Sequence, residues 1–152
     1  MWKNFNTVYP DEAKIFLENQ QNSEVSVTVE NWRGRKARVR FDHVGESKFG
    51  KTGYDLKTMY DDITTDVIKR EVRKWQYDIQ DVMYREVGGL DAFIFIAVKT
   101  SPPYTVQCFR ITREEVLVSA DLKIDYALEQ YDDYEKNPDM LLPTYEGGLI
   151  GI

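Results

Sequence analysis

The apolar residues of this 152-residue chain change their spacing several times, and each change marks an element. Residues 11–21, DEAKIFLENQQ, set Ile15 and Phe16 side by side behind the start signal Pro10-Asp11, which predicts a short helix. From 24 to 32 the spacing drops to two, with Val25, Val27 and Val29 alternating against polar neighbours as in a half-buried strand. Gly34 allows a turn, and 36–44 alternates again, with Ala37, Val39, Phe41 and His43 on one face and Arg38, Arg40 and Asp42 on the other. The two segments read as a hairpin. After the polar, glycine-containing stretch 45–53, YDLKT at 54–58 is a third short strand.

Spacings of three and four then take over. Ile63, Val67, Ile68, Val72, Trp75, Ile79 and Val82 predict one long helix, capped by Asp61 or Asp62 and ended by VGGLD. AFIFIAV at 92–98 is apolar without interruption, as in a strand buried on both faces. TSPPY turns the chain, 104–111 is another strand, and Thr112 with Glu115 makes a capping box for a helix reaching about Glu135. The order of elements predicts a mixed α/β fold over 1–152 as a single domain, with a central five-stranded sheet flanked by helices.

Composition narrows the chemistry. A single cysteine, Cys108, excludes an internal disulfide and a cysteine-based zinc cluster, and a single histidine, His43, excludes histidine-rich metal sites. A metal here is expected to be a hard cation on oxygen ligands. No run approaches the roughly 20 apolar residues of a membrane span, and MWKNFNTVYP lacks the features of a signal peptide, so a cytoplasmic protein with no membrane partner is expected. The net charge of −6 argues against a general polyanion binder. Basic residues nonetheless gather in RGRKARVR (33–40) and IKREVRKW (68–75), and acid gathers at 129–139. Such stripes are more often solvated faces than binding sites.

Asp-Leu-Lys occurs at 55–57 and again at 121–123. In the second copy, which falls in the last helix, residues two apart point to nearly opposite sides, so Asp121 and Lys123 do not converge and read as surface side chains. In the first copy, on a strand, Asp55 and Lys57 share a face, and Asp42 on the neighbouring strand is only about 4.8 Å away. Two carboxylates that close demand a divalent cation or a raised pKa. A lysine beside them orients or deprotonates a water and stabilises charge on a phosphate. On spacing alone, surface pairing of Asp42 and Asp55 with Arg38, Arg40 or Lys57 is the commoner outcome. Tyr77, Gln80 and Tyr84 form one stripe of the long helix, either a boundary between core and solvent or a surface for a phosphate backbone.

The succession RKARVRFD, GYDLKT, KWQYDIQDVMY and DAFIFIAVKTSPPYTVQCFRI resembles the PD-(D/E)XK nuclease superfamily, and within it the RecB-like, exonuclease VIII-type enzymes of phage recombination. The likeness runs from about Glu24 to Tyr134 and implies a restriction-endonuclease-like core. It makes Asp42 and Asp55 metal ligands, with the carbonyl of Leu56 a third, and Lys57 the catalytic lysine. Gln80 and Tyr84, with Tyr77 and Arg40 beside them, become substrate-positioning residues. Relatives place an acid or a histidine before the first strands. This chain has no histidine there, and Glu24, ahead of Glu18, is the carboxylate best placed to substitute. The resemblance implies Mg2+ or Mn2+ as cofactor and hydrolysis of phosphodiester bonds at double-stranded DNA ends. It further implies a homo-oligomer and a single-strand annealing protein as partner. The different class of function to be weighed is a catalytically inactive module of the same fold that binds DNA or a protein.

Overall fold

The alternating segments pair as an antiparallel meander of β1 (Ser23–Trp32), β2 (Arg35–Ser47) and β3 (Gly50–Met59). The structure, a computed structural model, describes Lys14 and residues 22–139. Apart from helical Lys14, the helix expected over 11–21, with Glu18, lies outside those residues, as does the stretch 143–152. Register follows the apolar pattern, with Val25 opposite Phe41, Val27 opposite Val39 and Val29 opposite Ala37.

Two helices carry the chain from β3 to a parallel neighbour, β4 (Ala92–Lys99), and β5 (Val106–Phe109) adds antiparallel to β4. The sheet order is β1-β2-β3-β4-β5, the mixed five-stranded arrangement expected. β4 is buried from Ala92 to Val98. Phe93 and Phe95 enter one apolar cluster with Phe41, Val72, Tyr77 and Val87, while Ile94, Ile96 and Val98 enter another with Tyr54 and Val106. A strand whose alternate residues fill two cores has no use for a polar side, which is why its sequence is continuously apolar.

Four local expectations give way. The polar stretch 45–53 is no loop, because β2 and β3 stay paired to Ser47 and Gly50 and turn on Lys48-Phe49. The long helix is two, α1 (Thr65–Trp75) and α2 (Tyr77–Gly88), broken at Gln76, which adopts a left-handed conformation with φ 56° and ψ 42°. Gln76 still satisfies the end of α1, its N–H donating to the Val72 carbonyl. Thr64, not Asp61 or Asp62, caps α1 by accepting from the Val67 N–H, while Asp61 pairs with Arg70 and Asp62 with Lys99. The last helix, α3 (Glu114–Lys136), has no capping box, because Arg113 takes the carboxylate of Glu115.

The alternation of β2 also fails across Asp42. Phe41 packs against Tyr84 and Phe93, whereas His43 lies against Tyr54 of the cluster on the other face. The irregularity is shared by β1, where the pairs flanking Glu24 set it opposite Asp42 and its φ is 56°. His43 is 1% exposed, and burial holds its pKa below the usual imidazole value.

Close packing is demonstrated by Gly53, where an added Cβ would lie 2.6 Å from Leu90 Cδ1 and 2.9 Å from Phe93 Cδ2. Gly53→Ala is expected to destabilise the protein by about 1–3 kcal/mol through overpacking. A urea titration showing an unchanged midpoint would refute this.

Candidate active site

β3 supplies two of the residues and β2 the third. Pairing between β2 and β3 ends at His43 and Tyr54, so the next stretch of β3 separates from its neighbour. Asp42 fills that gap, its Oδ2 accepting from the Leu56 N–H at 2.8 Å. In extended chain a residue's N–H and C=O point to the same side, so the Leu56 carbonyl faces the same gap as the Asp42 carboxylate.

Asp55 and Lys57 point to the face covered by α2. Lys57 Nζ lies 2.7 Å from Asp55 Oδ2 and donates to Gln80 Oε1 at 2.9 Å, while Gln80 Nε2 donates to Asp55 Oδ1 at 2.8 Å. One amide therefore holds an anion and a cation at once, and its orientation follows from their charges. Beneath Lys57, the Tyr77 ring lies 4.6 Å from Nζ, stacked on Phe95. Tyr84 packs edge-on against Phe41 and Phe93, with its hydroxyl at the backbone of Arg40. The stripe Tyr77, Gln80, Tyr84 thus faces the sheet and braces Asp55 and Lys57.

Asp55 is 8% exposed, and burial pushes its carboxyl above the usual range against the pull of the Lys57 ammonium. Oδ2 is held by the Lys57 ammonium and meets no second donor among the described residues. A buried carboxylate oxygen left this way suits a hard cation. Asp42, Asp55 and the Leu56 carbonyl are the oxygens available to one. Glu24 lies across from Asp42 with its carboxylate turned to Arg40 at 3.1 Å, and among the described residues no group of three or more acidic, histidine or cysteine side chains converges on a common point.

The basic stretch 33–40 is largely engaged within the molecule. Arg33 pairs with Glu86 of α2 and with Asp121 and Asp125 of α3, Arg35 with Asp132 and Glu135, and Lys36 with Glu30. The second Asp-Leu-Lys is likewise no idle surface feature. As helix geometry requires, its two charges diverge, but Asp121 meets Arg33 while Lys123 donates to Asp78 Oδ2 at 2.9 Å and Gln76 Oε1 at 3.0 Å. Sequence reading missed these supports because their partners are 45 or more residues away. The Asp81–Arg85 pair was detectable from its i, i+4 spacing.

Asp81 sits on α2, 1% exposed, and burial pushes its carboxyl up to about 6 despite Arg85. A folded pKa raised above the unfolded one makes protonation stabilising below about pH 4, a benefit lost as pH rises through 6. Asp81→Asn cannot ionise, so its stability relative to the natural protein is expected to rise by roughly 2–3 kcal/mol between pH 4 and pH 7. Urea midpoints that stay parallel across this range would contradict the assignment.

A family model described as a PDDEXK-like domain of unknown function (DUF3799) matches residues 7–140, most of the chain. The chain belongs to the PDDEXK-like family. No curated protein sequence matches it. Among solved structures, a crystal structure from Eubacterium rectale described as a candidate exonuclease superposes with a TM-score of 0.57 at 20% identity, covering 78% of this chain and 49% of that one. The crystal structure of SSO0001 superposes with a TM-score of 0.45 at 16% identity, over 76% of this chain and 54% of that one. This PDDEXK-like domain therefore spans about half the length of the structures it resembles. The first likeness shows the fold, the restriction-endonuclease-like arrangement, and agrees with the strand order above. Among the described residues no helix is long and apolar enough to cross a membrane.

Proposed function

We propose that this PDDEXK-like domain is a divalent-metal-dependent deoxyribonuclease that hydrolyses phosphodiester bonds at the ends of duplex DNA. One observation carries the reading: the buried Asp55 carboxylate and the Lys57 ammonium are held together by Gln80, beside Asp42 on the neighbouring strand. A family match over residues 7–140 and the fold likeness to a candidate exonuclease support it. The preference for DNA ends, Mg2+ or Mn2+ as the ion, a role in phage recombination, a second copy of the chain and an annealing protein as partner belong to this proposal.

Asp42 and Asp55 would hold a divalent cation, which when bound would lower the pKa of a water and offset charge on the phosphate. The Leu56 N–H fixes the Asp42 rotamer. Lys57, half-buried on the Tyr77 ring, carries the positive charge that orients the attacking water and stabilises the phosphorane oxygens. Gln80 fixes the positions of Lys57 and Asp55 by accepting from one and donating to the other. Water oxygen bonds to phosphorus and releases a proton to solvent, a phosphorus–oxygen ester bond breaks, and the leaving oxygen takes up a proton from solvent.

The test is degradation of end-labelled linear duplex beside a closed circle, with Mg2+ or Mn2+. Loss of the linear DNA alone supports the reading. If both survive under either ion with the protein folded, the chain is instead a binding module that has kept the fold.

A further inference from the structure

A groove of about 680 Å³ runs between α1, β5 and the start of α3, on the sheet edge opposite β1. Its rim carries Lys69, Arg73, Arg110 and Arg113, and none of the described residues lining it is acidic. In a chain with a net charge of −6 this concentration stands apart. It differs from the basic stretch at 33–40, whose Arg33, Arg35, Lys36 and Arg40 each meet a carboxylate. Arg73 donates to the Lys69 backbone, and Arg110 lies over the Phe49 ring in the field of the buried Asp81, so neither makes a direct ion-pair contact with a described residue. Lys69 reaches Asp66 only at 3.9 Å, and Arg113 pairs with the exposed Glu115.

The floor connects this rim to the reactive centre. Val72 and Phe109 line the groove. Phe109 stacks on Phe95 with ring centroids 5.0 Å apart, and Phe95 lies 5.9 Å from Lys57 Nζ and stacks on Tyr77. Groove floor and lysine support are thus one continuous aromatic stack. Cations over an apolar floor match a phosphate backbone whose sugars and bases need apolar contact. A groove of this volume takes one strand, not a duplex.

Resting on the nuclease reading above, we propose that the groove between α1 and β5 is the track of a single DNA strand, its phosphates held by Arg73 and Arg110 as the strand leads toward Lys57. An acidic peptide is the competing occupant. A guanidinium fork takes carboxylate and phosphate oxygens alike, and it is the apolar floor of Val72 and Phe109 that favours the strand, whose sugars and bases need apolar contact.

The experiment is fluorescence anisotropy of a short labelled oligothymidylate with the full chain in EDTA, so that no cleavage intervenes. The natural protein, Arg73→Gln/Arg110→Gln and the control Arg38→Gln/Lys136→Gln are compared across salt concentrations. The groove variant is expected to lose about tenfold in affinity at low salt and to lower the salt slope by about 1 to 1.5, as removal of two phosphate contacts requires. The control is expected to match the natural protein. Absence of binding by the natural protein, equal losses in groove variant and control, or equally tight binding of poly-glutamate of matched charge would each overturn the proposal. Single variants R73Q and R110Q, each losing part of the affinity, decide the matter if the double variant fails to fold. Groove-dependent binding without cleavage in the linear-DNA assay would count against the nuclease reading alone. Active cleavage with binding indifferent to both arginines would count against the track alone.

Discussion

Lys57→Ala is expected to lower hydrolysis of linear DNA by about 10³-fold or more while leaving the sheet intact. Removing Nζ takes away the charge facing the phosphate and releases Gln80, whose carbonyl then has no cation to accept from. One preorganised charge aimed at the developing phosphorane is worth about 10²–10³-fold, and the loss of Gln80's anchor adds to it. The fold should survive, because Asp55 is already pushed toward its protonated form by burial and can neutralise itself when its partner goes. Lys57→Met, which keeps the stem over Tyr77, separates charge from packing and should be as inactive as alanine but closer to natural stability. Circular dichroism beside the cleavage assay checks both points, and an active, homogeneous Lys57→Ala protein would remove Lys57 from the mechanism.

The second large effect is on metal-linked stability. A cation bound to the folded chain and not to the unfolded one stabilises it by mass action, about 2.7 kcal/mol at one hundred times the dissociation constant. Mn2+ should therefore raise the melting temperature of the natural protein and leave that of Asp55→Ala where it was. Because burial raises the Asp55 pKa, the folded carboxyl takes up its proton at a higher pH than an exposed aspartate would. Protonation displaces the cation, so the Mn2+ shift and the activity should both fade on the acid side sooner than for an exposed aspartate. Scanning calorimetry with and without Mn2+ at several pH values reads this directly. A shift of equal size in the alanine variant would place the ion elsewhere.

How far the chain was readable follows from the range of the interactions involved. Period-two alternation in β1 and β2 and the unbroken apolar run of β4 are local signals, and the mixed five-stranded sheet they imply is the one observed. Asp55 and Lys57 share a face for the same reason. The break at Gln76 carries no glycine or proline, and the apolar spacing runs through it from Trp75, which is 58% exposed, to Ile79. The Gln76 side chain accepts from Lys123, 47 positions away. The extension of the β2–β3 hairpin was hidden by polar and glycine residues that read as loop yet keep their backbone pairing. Likewise the basic stretch 33–40 contains no acidic residue of its own, and its counter-ions sit mainly on α2 and α3.

The attachment of α3 sets the order in which the molecule comes apart. Only Ala120 and Ile124 of its 23 residues are buried, and much of its hold on the rest is ionic, through Arg33, Arg35 and Lys123. Such an element opens locally at far smaller free energy than a strand like β4. When it opens, Asp78 and Gln76 lose their shared ammonium, and the first turn of α2, which carries Tyr77 and Gln80, loses its anchor. Mild denaturant or high salt is therefore expected to disturb the Asp55–Lys57–Gln80 group while the sheet is still folded, so that its loss and global unfolding fall as two separate transitions.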